Sequence, residues 1–363
     1  MIKYVDLGIS EEEYEREISP KLKEIFLSGN FISQSIVEDF EDKFAKYCGS
    51  KFAVALNSGT DALIFALKSL GIGDGDEVIT VSNSFIATAN SIVEVGAKVI
   101  FVDIGNDLLI DAQKIEDAIT NKTKAIMPVH LMGHVCNMQK IQQIADKYNL
   151  EIIEDAAQSI GSRYKDRKTG TFGKVGCFSL HPLKNLSGVT DGGIVITDDE
   201  KICNYIKEVR NHGLVDRDTQ NIVGRVSRLS SINATILSYR LSKLNLVIAR
   251  RREVAKIYNE LLKEIKNIEI IDVGKDIFHT YHTYIIKAQH RDKLSAYLLD
   301  NGVETKIHYP VLIHNQKPFK KQINNLKNTE KLSLEILTLP VANITDKEIE
   351  YVAKMIVEFY RES

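Results

Sequence analysis

Four short stretches of this sequence carry side chains that can do chemistry, and each falls where an apolar run gives way to a turn. One is Phe178-Ser179-Leu180-His181-Pro182-Leu183-Lys184-Asn185-Leu186, followed by the flexible run Ser187 to Gly193. A lysine in a glycine-rich segment, where backbone approaches a ligand closely, can lose its proton and form an imine with an aldehyde. It can also be one of the chain's many surface lysines. Another is Ile152-Ile153-Glu154-Asp155-Ala156-Ala157-Gln158, in which Asp155 follows an apolar run directly and two alanines leave room for a flat ligand. An aspartate there can hold a proton on a heteroaromatic nitrogen, or simply cap a helix. In Asn57-Ser58-Gly59-Thr60-Asp61 a strand ends, a turn follows and a helix begins. Free amides and the helix dipole make such a turn an anion site, and Ser58 or Thr60 can equally be a plain N-cap. Asn83-Ser84-Phe85-Ile86-Ala87-Thr88 offers an aromatic that can stack on a ring or pack in a core.

A lysine, an aspartate, an aromatic and a phosphate cradle are the parts that a pyridoxal 5'-phosphate site requires, the cofactor itself supplying the electron sink. Lys184 would hold the cofactor as a Schiff base. Asp155 would keep the pyridine nitrogen protonated. Ser58 to Thr60 and the Ser179 hydroxyl would hold the phosphate.

The elements that must position these groups emerge from the apolar pattern. Short runs rich in Val and Ile recur at Phe52–Leu56, Glu77–Val81, Val99–Val102, Ala125–Val129, Ile152–Glu154, Val175–Ser179 and Gly193–Thr197, as buried strands do. Helix-like stretches lie between the earlier ones: Thr60–Leu70, Phe85–Val95, Asp111–Ile119 and Met138–Tyr148. Strand and helix in alternation predict a mostly parallel α/β sheet, and such sheets bind ligands beyond the carboxyl ends of their strands. From Ser230 to about Glu264 the apolar positions recur at helical spacing, which predicts one long helix. A strand near Tyr281–Lys287, a helix over Arg291–Asn301 and a last helix opened by the capping-box pattern Thr345-Asp346-Lys347-Glu348 complete a smaller α+β unit. The reading is therefore a large domain over 1–244, including the N-terminal segment, and a small C-terminal domain over 245–363.

Composition excludes more than it proposes. The 363 residues carry a formal net charge of -2, with 44% apolar and 26% charged side chains. That balance lacks the basic excess of a nucleic-acid binder but allows a local site for a small anion. No apolar run approaches the roughly 18 residues of a membrane span. The opening residues lack the pattern of a signal peptide. Cys48, Cys136, Cys177 and Cys203 are isolated, without metal or redox spacing, which leads us to expect reduced thiols in a cytoplasmic protein and no metal.

With these motifs in place, the chain resembles the sugar aminotransferases of the DegT/DnrJ/EryC1/StrS family, in the fold type I class of pyridoxal-phosphate enzymes. The resemblance runs over essentially the whole chain. Besides the four stretches above it rests on Gly75-Asp76-Glu77-Val78-Ile79, Phe101-Val102-Asp103-Ile104, Pro128-Val129-His130-Leu131-Met132-Gly133, Asp191-Gly192-Gly193, Arg210-Asn211-His212-Gly213 and Ile307-His308-Tyr309-Pro310. It implies an aspartate-aminotransferase-like fold with a seven-stranded, mostly parallel sheet. It implies that Lys184 is the Schiff-base lysine and Asp155 the partner of the pyridine nitrogen. Ser179, Gly59 and Thr60 become phosphate ligands, and Phe85 the aromatic stacked on the ring. Gln158 lies near the cofactor's phenolic oxygen, where many relatives have histidine. His308 and Tyr309 become candidates for substrate contact, a structural role for Tyr309 remaining open. The family's active site lies at a dimer interface, to which the partner contributes an Asn-x-Arg segment. Here that segment reads Val226-Ser227-Arg228, so Arg228 is kept and the asparagine is not. Gln34 stands where an N-terminal glycine is common, and Ser187 and Thr190 replace glycines after Lys184.

The implied reaction is transamination from L-glutamate, which leaves as 2-oxoglutarate, to a nucleotide-linked keto-sugar, with the cofactor cycling through pyridoxamine phosphate. The product is an amino sugar for surface polysaccharide (lipopolysaccharide, O-antigen) or glycoside biosynthesis. A dTDP-linked 3-keto-6-deoxyhexose is favoured slightly by Gln158 and the Thr60-Asp61 pair. The alternatives are a pyridoxal-phosphate dehydratase, whose branch replaces the lysine by histidine, and a non-catalytic regulatory relative. Arg251 and Arg252 on the long helix read as a solvated face rather than as ligands of a diphosphate. His282 and His314 fall in family-like segments and carry only a weak case for function.

Overall fold

The structure is a computed structural model and describes residues 1–320 and 325–362. The seven apolar runs become strands: β1 (Phe52–Leu56), β2 (Glu77–Val81), β3 (Lys98–Val102), β4 (Thr123–Ile126), β5 (Glu151–Asp155), β6 (Val175–Ser179) and β7 (Gly193–Thr197). They form one sheet in the order β1-β7-β6-β5-β4-β2-β3. Pairing is parallel from β6 through to β3, whereas β7 lies antiparallel between β6 and β1. Every residue of β2 and of β7 is buried, so their apolar residues do not keep to alternate positions.

Helices cover both faces: α1 (Gln34–Cys48), α2 (Gly59–Ser69), α3 (Ile86–Glu94), α4 (Met138–Tyr148) and α5 (Glu200–Val209). On one face α2 and α5 pack Leu63, Leu67, Ile202 and Ile206 against Val54, Val78 and Val195. On the other, Phe40 and Phe44 of α1 meet Phe178, the last two rings edge to face at 5.3 Å. The helix expected over Asp111–Ile119 is one α-turn, Ala112–Ile115, followed by a 3-10 turn, Glu116–Ala118.

The long helix, α6 (Ser231–Leu262), is continuous, with Ser230 as its N-cap. Its first half packs Leu237, Leu241, Leu244 and Ile248 beneath the large sheet. Its second half turns Val254, Ala255, Tyr258 and Leu262 into a separate core. The expected division at residue 245 thus falls inside a helix, where packing partners change but the chain does not break. The second core lies between α7 (Arg291–Asp300), α8 (Asp346–Glu362) and an antiparallel sheet of β8 (Ile268–Ile270), β9 (Tyr284–Ala288) and β10 (Ile336–Leu339). The capping box at α8 forms, Thr345 donating its amide to Glu348 and accepting that of Glu348. The start of the chain docks here too: Ile2 pairs with Val303, and the Tyr4 amide donates to Glu304 at 3.1 Å.

Candidate active site

The carboxyl ends of β1, β5 and β6 open on one cavity of about 410 Å³. Strand β1 delivers the anion turn and is pinned in place. The Glu41 carboxylate accepts the Ala55 amide at 2.7 Å and pairs with Arg210, which itself donates to the Ala55 carbonyl at 2.7 Å. Arg210 opens the Arg210-Asn211-His212-Gly213 motif, none of whose residues lines the cavity. Ser58 then caps α2, its Oγ accepting the Asp61 amide at 3.1 Å. The Gly59 and Thr60 amides open the helix, where amides have no acceptor within the helix and the dipole favours an anion. Space here is set by glycine. A Cβ on Gly59 would stand 2.9 Å from Ser179 Cβ, and one on Gly193 would stand 2.1 Å from the Ser58 carbonyl oxygen. The β1 turn, the end of β6 and the start of β7 therefore close to contact only because two side chains are missing.

Asp155, the last residue of β5, is buried. Its Oδ2 accepts the Thr88 hydroxyl at 2.7 Å and its Oδ1 the Ala157 amide at 3.2 Å. Burial raises its carboxyl above the usual range, with those two hydrogen bonds and the charge of Lys184 pulling the other way. A carboxylate so desolvated gains from a cationic N–H placed against it. Lys184 reaches the same cavity from the loop after β6, its backbone amide closing a turn onto the His181 carbonyl at 2.8 Å. Burial lowers its amine from 10.5 to about 8, against the pull of Asp155. Lys184 thus presents to the cavity an amine whose proton is loosely held.

Phe85 is the N-cap residue of α3 and stays 55% exposed, a large aromatic face presented to the cavity instead of the core. Tyr309 lies against it at 6.1 Å between ring centroids. Gln158 fixes Tyr309, donating from Nε2 to its hydroxyl at 2.8 Å while its Oε1 accepts the Met132 amide at 2.8 Å. His308 is held by Thr338 at 2.9 Å, and burial, then the Lys184 charge, lowers its ring to about 4.

The structure therefore brings together Gly59, Thr60, Phe85, Asp155, Gln158, Ser179, Lys184, His308 and Tyr309 around one cavity. Arg228 does not line it. Its side chain is exposed and donates to Asn211 at 3.3 Å. His314 is also elsewhere, clamped between Ser82 at 2.6 Å and Glu330 at 3.3 Å. Three cavity residues were missed or underrated from sequence. Tyr4 arrives from the chain start and packs on His308 at 5.8 Å, with no local pattern to announce it. His282 lines the wall beside Asn185, and its ring is kept neutral by burial first and then by the nearby cations. Arg251 overturns the expectation of a solvated helix face: it is 8% exposed and lines the cavity. Segment 278–282 folds over that turn of α6, so Arg251 donates to the carbonyls of Tyr281 and His282, and Arg252 donates to that of His279 and lies over Phe278.

A narrow anion cradle, an exposed aromatic face, a buried carboxylate and a lysine with a lowered pKa are the donor set for the phosphate, ring, ring nitrogen and carbonyl of pyridoxal 5'-phosphate, and the residues present fit that cofactor. Among the described residues no group of three or more His, Cys, Asp or Glu could hold a metal ion, and no helix is long and apolar enough to cross a membrane.

Comparison with known proteins agrees with this geometry. The chain is 37% identical to the dTDP-3-amino-3,6-dideoxy-alpha-D-galactopyranose transaminase of Aneurinibacillus thermoaerophilus over 96% of both chains. It is 36% identical to a protein of Geobacillus stearothermophilus named a pleiotropic regulatory protein, over 99% of both. The crystal structure of S. venezuelae DesV in complex with a ketimine intermediate superposes with a TM-score of 0.95 at 33% identity, over 99% of this chain and 98% of that one. Residues 12–357 match the model of one family throughout, and the chain belongs to it: the DegT/DnrJ/EryC1/StrS aminotransferase family.

Proposed function

We propose that the protein transfers the amino group of L-glutamate to a nucleotide-linked keto-sugar, giving an amino sugar. The observation that carries this reading is the pairing, across one cavity, of Lys184 with a lowered pKa and the buried carboxylate of Asp155. When bound, pyridoxal 5'-phosphate supplies the electron sink that stabilises carbanion charge on the amino-bearing carbon. The protein's residues do the rest. The Gly59 and Thr60 amides and the Ser179 hydroxyl would hold the phosphate, Phe85 would offer its face to the ring, and Asp155 would keep a proton on the ring nitrogen. Lys184 Nζ would hold the cofactor covalently at its carbonyl carbon. The Lys184 amine, its proton loosely held, would move the proton to and from the amino-bearing carbon as general base and acid. Gln158 positions Tyr309 through a hydrogen bond, and His308 and Tyr309 contact the sugar.

The nucleotide-sugar substrate is supported by the transaminase of A. thermoaerophilus, whose name is that of a dTDP-linked amino sugar. The dTDP-linked 3-keto-6-deoxyhexose remains the slightly favoured substrate, with surface polysaccharide or a glycoside as the destination of the product. We assign the protein to the cytoplasm as a homodimer in which Arg228 of each protomer reaches the other's site, consistent with its position outside its own cavity. A non-catalytic regulatory role has the name of the G. stearothermophilus relative in its favour. Against it, a sensor has no need of a proton-loosened lysine facing a buried carboxylate. The test is to mix the cofactor-loaded protein with glutamate, then offer nucleotide keto-sugars and follow the product by mass spectrometry. The cofactor's yellow absorbance should be lost on adding glutamate, and an amino sugar should form. Lys184→Ala should do neither. A Lys184→Ala variant that still transaminates, or a wild-type protein that releases a deoxygenated sugar, overturns the assignment.

A further inference from the structure

The cavity must accept two very different anions in turn, an amino acid and a nucleotide-linked sugar, and one cation in it has no assigned use. Among the side chains lining the cavity only Lys184 and Arg251 are non-histidine cations, and Lys184 is committed to chemistry. The histidines His282 and His308 are held neutral by burial. Arg251 keeps its charge at neutral pH, since burial lowers it only to about 10. No carboxylate pairs with it among the described residues. Its Nη1 donates to the carbonyls of Tyr281 at 3.1 Å and His282 at 2.9 Å, which fixes the guanidinium plane. Its Nε is buried and has no hydrogen-bond partner. A buried charged donor left open in this way is costly unless a ligand completes it.

We infer that Arg251 is the anchor for the α-carboxylate of the amino-acid donor, the charge that seats glutamate in the first half of the reaction and 2-oxoglutarate at its end. The inference rests on the transaminase reading above. Chemistry separates the two candidate anions. An amino acid's carboxylate is bonded to the carbon that carries the nitrogen, so its cation must stand deep beside the lysine. The diphosphate of a keto-sugar is separated from the reacting carbon by the sugar ring and belongs nearer the mouth. Arg251 is deep: it is almost fully buried, and its charge and that of Lys184 both act on His282. A planar guanidinium also matches a carboxylate's two oxygens, which an ammonium does not.

The two halves of the reaction can be read separately in the cofactor's absorbance, with wild-type, Arg251→Gln and Arg251→Lys proteins. Losing a charge-assisted hydrogen bond should raise the glutamate concentration for half-maximal rate by roughly 10- to 100-fold in Arg251→Gln. The half-reaction of the amine form with a nucleotide keto-sugar should change less than about threefold. Arg251→Lys keeps the charge and a donor for the two carbonyls, so it should recover part of the loss. As a readout independent of turnover, 2-oxoglutarate should raise the melting temperature of the wild-type protein and not that of Arg251→Gln. Equal losses in both halves for the stably folded Arg251→Lys would show a brace for segment 281–282 and overturn the anchor. So would a loss confined to the sugar half, or no loss at all. A wild-type protein that responds to no amino acid overturns the transaminase reading itself, whereas a responsive wild type with unaffected variants overturns only the anchor.

Discussion

Cofactor-free protein should capture the aldehyde of pyridoxal 5'-phosphate with a rate that rises with pH and levels off above about 8. The nucleophile is the neutral amine of Lys184, and below its pKa the ammonium cannot attack. At an ordinary 10.5 only about 0.03% of the lysine is neutral at pH 7, whereas at about 8 the fraction is about 9%, a gain of roughly 300-fold. The cause is desolvation, partly opposed by the carboxylate of Asp155, which favours the charged amine. That opposition fixes the sign of a second perturbation. Asp155→Asn removes the carboxylate but keeps an oxygen to accept the Thr88 hydroxyl, so the midpoint should fall further below 8. The assay is the initial rate of absorbance change on mixing, measured across pH, with borohydride trapping and peptide mapping to place the adduct on Lys184. A wild-type midpoint near 10.5, or an Asp155→Asn midpoint shifted upward, would refute the reasoning.

Three further outcomes are expected. Gly193→Ala drives a Cβ into the Ser58 carbonyl oxygen and must push the anion turn aside, so cofactor retained after dialysis should drop at least about tenfold while the protein loses about 1–3 kcal/mol of stability. Arg210→Met leaves the buried Glu41 carboxylate unpaired and should cost about 3–5 kcal/mol in denaturant unfolding, with no direct effect on the chemistry of the cavity. Gln158→Ala leaves the Met132 amide and the Tyr309 hydroxyl without their partner. It should cost about 1–3 kcal/mol and weaken keto-sugar binding more than glutamate binding, as half-reaction kinetics would show.

Much of the site was legible because it is local. A strand in a sheet covered by helices on both faces is largely apolar on both, so β1, β2, β6 and β7 stand out with the bounds the structure gives them. Residues that end such a strand, or come just after it, lie at its carboxyl end whatever the topology, and Gly59, Asp155, Ser179 and Lys184 all do so. Helix and capping chemistry are equally local, hence the agreement over Met138–Tyr148 and the capping box at Thr345. The short, broken helix at 112–118 is the cost of the same logic, since periodicity reports which face is apolar but not whether a turn closes with three or four residues.

Sequence alone therefore determined which residues could do the chemistry and at which strand ends they stand, because residue type and periodicity are properties of the chain's nearest neighbours. Tertiary structure decided what those residues face. It inserted β7 antiparallel between β6 and β1, so that Gly193 closes on Ser58. It brought Tyr309 to Gln158 across 151 positions of chain, and Tyr4 to the same wall from the N-terminus. It turned Arg251 from a surface cation into a buried one with an open donor, because segment 278–282 folds over that turn of α6. An arginine's role depends on which carbonyls and charges surround it, and those come from parts of the chain that no local pattern connects.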